Sequence, residues 1–245
     1  MDLNYFTFGG IRSNEYKTYI SGDEEYNIPE EVYTMIAVPG RNGKLAISEG
    51  RYENFDVKYP AMIFADSDFD FEKNLTALIS DMKAKHGYQR IETTYRPESY
   101  RMGIFRSPVE VIPDDAGRVG EFDIVFDCMP QRFLKDGEIE KEYTTSGSIL
   151  NPTNFVSKPL IKVTGAGTVG LGDETITITG TSSQVIYIDS DIHDAYEYSG
   201  SSIVNANGKV SFTSTDFPEI QPGESGITLG SGISKVEITP RWWTI

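Results

Sequence analysis

The chain has 245 residues, a formal net charge of −15, 38% hydrophobic residues and one cysteine, Cys128. The acidity argues against direct nucleic-acid binding, which needs clustered Lys and Arg, and against docking on an anionic membrane. A single cysteine excludes an intrachain disulfide, and no apolar stretch reaches membrane-spanning length. Met1–Tyr5 lacks the basic start and apolar run of a signal peptide, so the expectation is a soluble protein made in the cytoplasm and not inserted in a membrane.

Tyr, Phe, Thr, Ile, Val and Gly are plentiful, while Ala and Leu are sparse, which predicts a mostly β protein. Residues 5–64 read as short strands. Tyr5–Phe8 is followed by the turn pair Gly9-Gly10. Glu31–Val38 is a strand that runs into Pro39-Gly40-Arg41-Asn42-Gly43. Pro-Gly and Asn-Gly are turn dipeptides, and Asn-Gly suits a type I′ hairpin. Gly40 or Gly43 is expected at positive φ, with Arg41 projecting outward, free to pair with a carboxylate of a neighbouring subunit or, in the alternative, part of a solvated turn. Leu45–Ile47 and Asp56–Tyr59 continue the strand pattern.

One helix is predicted over about 68–86. Ser67 and Asp70 form a capping-box-like start, and Phe71, Leu75, Leu78, Ile79 and Met82 share one face. His86 caps its end and Gly87 stops it. Gln89–Tyr95 and Gly103–Ile112 read as strands. Pro113–Gly117 is a turn, and Gly120–Cys128 returns as the second arm of a hairpin. Near Met129–Leu134 the aromatics thin out. Beyond it, Pro159–Thr164, Glu174–Thr179, Gln184–Asp189, Lys209–Phe212, Gly226–Leu229 and Lys235–Thr239 recur at the spacing of a sandwich.

The expected architecture is an α+β domain over 1–135, sandwich-like with one helix, followed by an all-β sandwich over 136–245. The first part carries 16 Lys+Arg against 23 Asp+Glu and the second 6 against 14, so the acidity is shared between them. The last strand ends at Pro240-Arg241-Trp242-Trp243, where both Trp residues sit side by side. A terminus that carries the two largest side chains is predicted to be docked, with Trp242 or Trp243 largely buried.

The search for chemistry returns little. Cys128 with His86 is the sole thiol–imidazole pairing, and the two lie in separate elements. Asp189, Asp191 and His193 alternate as cation ligands would, but at the end of a strand they read as a solvated turn. Gly165–Gly167 and Gly170–Gly172 lack the following helix of a dinucleotide loop and read as turn glycines. The sequence therefore points to no enzyme, no cofactor and no bound metal. Tyr187, Tyr196, Tyr198, Trp242 and Trp243 fill a core or an interface, or stack on sugar rings.

Four stretches in order resemble the distal tail protein family (Dit) of long-tailed bacteriophages. They are Phe6–Ile11 with Ser13–Tyr16; Val38–Gly43 with Gly50–Asn54; Phe126–Leu134 with Gly137-Glu138; and Asn151-Pro152 and Ser157–Pro159 leading to Pro240–Trp243. The resemblance implies a virion protein at the distal end of the phage tail. It implies a six-fold ring built by the first domain and a projecting galectin-like, jelly-roll sandwich. It also implies a baseplate hub between the tail tube protein and the tail-associated hub or lysin protein, anchoring a receptor-binding protein and letting DNA pass. The alternative is a carbohydrate-binding adsorption module that recognises host cell-wall glycan through the second sandwich.

Overall fold

In the computed structural model, residues 3–21, 27–106, 109–114 and 118–245 are described. The chain divides into two units, the first running to Arg132 and the second from Phe133 to Thr244.

The first unit contains β1 (Phe6–Phe8), β2 (Ile11–Arg12), β3 (Thr18–Ile20), β4 (Glu31–Ala37), β5 (Lys44–Tyr52), β6 (Phe55–Phe64), α1 (Asp68–Lys83), β7 (Gln89–Thr93), β8 (Ser99–Ile104), β9 (Ile112–Pro113) and most of β10 (Val119–Leu134). Its main sheet has the order β2-β1-β7-β8-β10-β6-β3, with β9 also on β10. Phe6, Phe8, Ile63, Leu78, Met82, Ile124, Phe126 and Cys128 are fully buried in one cluster. Phe126 is its centre, with the rings of Phe6, Phe8, Tyr59 and Phe105 at 5.1–5.9 Å. Offset and edge-on contacts of this kind add to the area term.

Helix α1 starts as its sequence requires, with the Ser67 hydroxyl accepting from the Asp70 N–H. Phe71, Leu78 and Met82 are buried, and Leu75 and Ile79 pack at the edge of the same core. The helix ends earlier than expected, at Lys83. Ala84 closes it by donating to the Ser80 carbonyl, so His86 lies beyond the last turn and caps nothing. Gly87, at φ +71, turns the chain three residues after that cap.

The expected strand over Gly103–Ile112 is a misreading. The strand is Ser99–Ile104, which forms a hairpin with Gln89–Thr93. Strand β8 also lies beside the return strand, and further along the expected stretch Ile112–Pro113 pairs with it as a separate short strand. The return strand is 16 residues long, and its main partner is Phe55–Phe64, matched from Val119↔Phe64 to Cys128↔Phe55. Hydrophobic alternation in Val109 and Val111 imitated a strand because both pack against the core without ladder pairing. The expected turn at Pro113–Gly117 falls in part outside the described residues.

The second unit contains β11 (Lys141–Tyr143), β12 (Gly147–Asn151), β13 (Leu160–Gly165), β14 (Gly167–Leu171), β15 (Glu174–Ile178), β16 (Val185–Asp189), β17 (Asp194–Ser199), β18 (Ser202–Asn205), β19 (Val210–Phe212), β20 (Gly223–Leu229), β21 (Ile233–Thr239) and β22 (Trp243–Thr244). A six-stranded sheet, β11-β21-β13-β16-β17-β18, faces a five-stranded one, β12-β20-β14-β15-β19. Alternate residues from both fill one core, including Ile161, Val163, Val169, Leu171, Ile176, Ile186, Ile188, Val236, Ile238 and Trp242. The protein is mostly β, with an α+β first part and a β-sandwich second part.

Gly167–Leu171 is a strand rather than a turn. Its glycines hid the pattern of Val169 and Leu171, which are buried. Gly165 and Gly167 have φ of +121 and +152, and a Cβ on either would strike the backbone carbonyl of Gly232 or Ser231. Two backbones meet there at a distance that only glycine permits.

Candidate functional site

Two segments singled out by the sequence have opposite surroundings. The first is the hairpin of β4 and β5, which forms a sheet of its own. Its register runs from Tyr33↔Ser48 through Met35↔Ala46 and Ile36↔Leu45 to Ala37↔Lys44. One face carries Tyr33, Met35 and Ala46; the other carries Ile36, Leu45 and Ile47. All are exposed, Met35 by 53% and Ile47 by 46%. Polar contacts across and along the strands hold the base. Ser48 donates to Glu31 at 2.7 Å, Thr34 donates to Glu49 at 2.9 Å, and Arg51 pairs with both Glu49 and Glu53. An isolated two-stranded hairpin is marginal in water, and apolar side chains on both of its faces add an unmet demand for burial.

The hairpin ends in Pro39–Gly43. The Arg41 N–H donates to the Val38 carbonyl at 3.2 Å, and Gly40 has φ +78, the mark of a type II turn with proline in its second position. Gly43 also has positive φ, +80. Asn42-Gly43 is therefore not the two-residue type I′ connection; the loop spans residues 38–43 between paired Ala37 and Lys44. Arg41 and Lys44 are exposed and form no ion pair among the described residues, so the tip is basic on an acidic chain. Sequence reading missed that both faces of the hairpin are bare. The run Met35–Val38 looks like a strand buried on both sides, and sequence alone does not say which molecule does the burying.

The second segment is the carboxyl terminus. Strand β21 stops at Thr239, as Pro240 demands. Pro240 is buried, and its carbonyl accepts from the buried Ser157 hydroxyl. Arg241 takes φ +60, a conformation unusual for a side chain of its size. Its guanidinium forks onto Asp189 at 2.6 and 2.9 Å. Burial pushes the Asp189 carboxyl up, but Arg241 outweighs it and holds the group below the usual carboxylate range. Asp189 is therefore not part of a solvated turn. It is a buried anchor, while Asp191 and His193 remain exposed. Among the described residues, no group of three His, Cys, Asp or Glu is placed to hold a metal ion.

Trp242 is 0% exposed and lies in the sandwich core. Its backbone carbonyl accepts from Leu134 at 2.9 Å. Gly137 accepts the Arg241 N–H at 2.7 Å, and a Cβ on Gly137 would run into the Trp242 amide nitrogen. Trp243 stacks on Phe155 at 4.3 Å and donates its indole N–H to the Val156 carbonyl at 2.9 Å. Glu237 is only 4% exposed, and it lies between Lys162 and Lys235 at 2.9 Å from each. Cys128 is fully buried, and burial pushes its thiol up to about 12, which makes it a poor nucleophile.

The architecture is a mostly β chain of two units, with an exposed hairpin on the first and a locked terminus on the second. No protein-family model and no curated protein sequence matches the chain. Solved structures do. Over 100% of both chains, at 11% identity and a TM-score of 0.74, the fold is similar to that of SPP1 Dit (gp 19.1), described as a paradigm of hub adsorption apparatus in Gram-positive infecting phages. It is also similar, over 97% of both chains at a TM-score of 0.51, to a chain of the phage P2 baseplate in its activated conformation, at 11% identity with Ca and 10% with Sr. The chain thus has a Dit-like fold.

Proposed function

We propose that this protein is a non-enzymatic structural component of a phage tail tip, a hub that closes into a six-fold ring through its first unit. The observation that carries the reading is the hairpin β4–β5. It offers apolar side chains on two faces and a basic tip, and none of the described residues covers either face. The occupant is a second copy of the chain. The tip contributes two positive charges, while the whole molecule is at −15, so a neighbouring copy attracts it. A hairpin that inserts into a different surface on the next subunit is a heterologous contact, and such contacts close into rings.

In this reading the ring joins the tail tube protein to the tail-associated hub or lysin protein, supports a receptor-binding protein, and belongs to the distal end of the virion tail. Its acidity suits a conduit, because a negative wall repels phosphate and a passing genome does not adhere. The Dit-like fold supports the assignment, and so does the inert environment of Cys128.

Light scattering at about 50 µM protein, a concentration at which interfaces of micromolar affinity are filled, should give about six times the 27.3 kDa chain mass. Electron micrographs should show rings. Ile36→Asp with Ile47→Asp should yield folded monomers. A strict monomer at every concentration, including with tail-tube and hub partners present, overturns the proposal.

A further inference from the structure

The outer face of the six-stranded sheet carries one lateral row of side chains. The register aligns Glu142 with Glu237, Glu237 with Lys162, Lys162 with Tyr187, Tyr187 with Tyr196, and Tyr196 with Asn205. Their strand neighbours Val163, Ile186, Ile188, Ala195, Val236 and Ile238 point into the core, so the row points outward.

Three of the six are charged, two are aromatic, and Asn205 ends the row. Glu237 takes Lys162 and Lys235 at 2.9 Å, and Lys235 reaches Glu142 at 3.6 Å. Two ammonium groups face two carboxylates, and Glu140 also acts on Lys162, so the patch has no excess of positive charge. Next to it, the rings of Tyr187 and Tyr196 are parallel within 2°, with centroids 5.3 Å apart. For rings in contact at roughly 3.5 Å, this means a lateral slide of about 4 Å, so each ring leaves much of one face uncovered by the other. Tyr198 stands perpendicular to both at 5.2 and 5.8 Å and is 51% exposed. A depression of about 410 Å³ opens among Lys162, Gln184, Tyr187, Glu197 and Tyr198, a volume in the range of small-ligand sites, and Glu197 there is paired with Lys209 at 2.7 Å.

We infer that this row is a binding site for a neutral saccharide chain. Pyranose rings present flat C–H faces to the tyrosines and hydroxyls to the charged side. The Lys162 ammonium has three donors, and the ion pair with Glu237 fixes its position while leaving donors to spare. The other macromolecular ligands fit poorly. A polyanion gains nothing from a patch with no excess of positive charge. An extended peptide has no free ladder to join, because β13, β16 and β17 are each paired on both sides. An acyl chain would have to strip water from four charged groups. The site lies wholly within the second unit, and the inference is independent of the ring reading, since a protein that proves monomeric leaves it intact.

The full-length protein should be titrated with the tetrasaccharides of cellulose, chitin, laminarin and starch, observing the tyrosine resonances by NMR. Binding of at least one of them at about 0.1–5 mM is expected, as for a shallow site without a charged anchor. Tyr198→Ala should weaken it at least tenfold with unchanged melting, and Tyr198→Trp should retain it. The inference fails if no tetrasaccharide binds below about 10 mM, or if binding persists undiminished in Tyr198→Ala.

Discussion

Arg41 and Arg241 stand two residues and one residue after a proline in a tight bend, yet their surroundings are opposite. Arg41 stands in water at the tip of an exposed hairpin, without an ionic partner among the described residues. Arg241 holds Asp189 in a fork and locks the terminus into the sandwich. The comparison teaches that a short basic-aromatic or basic-glycine motif does not announce its role; the burial of the segment around it does. The terminus satisfies its side chains within the chain, so damage there should be read as lost stability. The hairpin leaves its side chains unsatisfied, so damage there should be read as lost assembly.

The sharpest test of the terminus is Trp242→Ala. Truncating a buried Trp costs about 3–5 kcal/mol, which for a unit of this size lowers its melting transition by roughly 10–20 °C. Calorimetry on the full chain measures it, and an unchanged transition would show that the terminus is an ornament. Next in size is Asp189→Asn, which leaves the half-buried Arg241 with a weakened partner, at about 1.5–3 kcal/mol.

The clasp also has a pH signature. The Asp189 carboxyl titrates lower in the folded protein than in the unfolded chain, where it sits near about 3.9. Its contribution is therefore complete above about pH 4 and is lost as pH falls through the folded value. Asp189→Asn should flatten that acid limb, a change visible in melting curves taken from neutral pH down to about pH 2.5.

Gly137→Ala should cost about 1–3 kcal/mol, because the new methyl meets the Trp242 backbone rather than a side chain able to move aside. Smallest in stability is the hairpin. Met35→Ser or Arg41→Ala should shift melting of the monomer by less than about 0.5 kcal/mol. Sedimentation should nonetheless report weaker oligomers. Hairpin variants that melt early while assembling normally would reverse the comparison.

Much of the fold was legible in the sequence, and the failures have physical causes. The helix start was readable because Ser67 and Asp70 act locally. Its end was less so, since Gly87 is a strong stop signal while the actual cap, Ala84, carries none. Strand β14 was hidden because glycines needed for close backbone approach at Ser231 and Gly232 look like turns. The site was legible only in part. Pro39–Gly43 and Pro240–Trp243 stand out as motifs. The partners of the second, Asp189 and Gly137, lie 52 and 104 residues away and carry no mark of that contact. Likewise, the tyrosine row arises from register between strands, which no single segment encodes.

Cys128 gives the molecule a use that none of its contacts suggest. It is the sole thiol, it is buried in the core of the first unit, and the second unit has none. A thiol reagent in solution reaches it only when that core opens, so the rate of labelling is a clock for opening of one half of the molecule. The same chain then accepts an engineered surface cysteine without removal of the native one, because the two react on different timescales. If the proposed ring forms, labelling before and after its closure would read, on a single sulfur, how far assembly steadies the first unit.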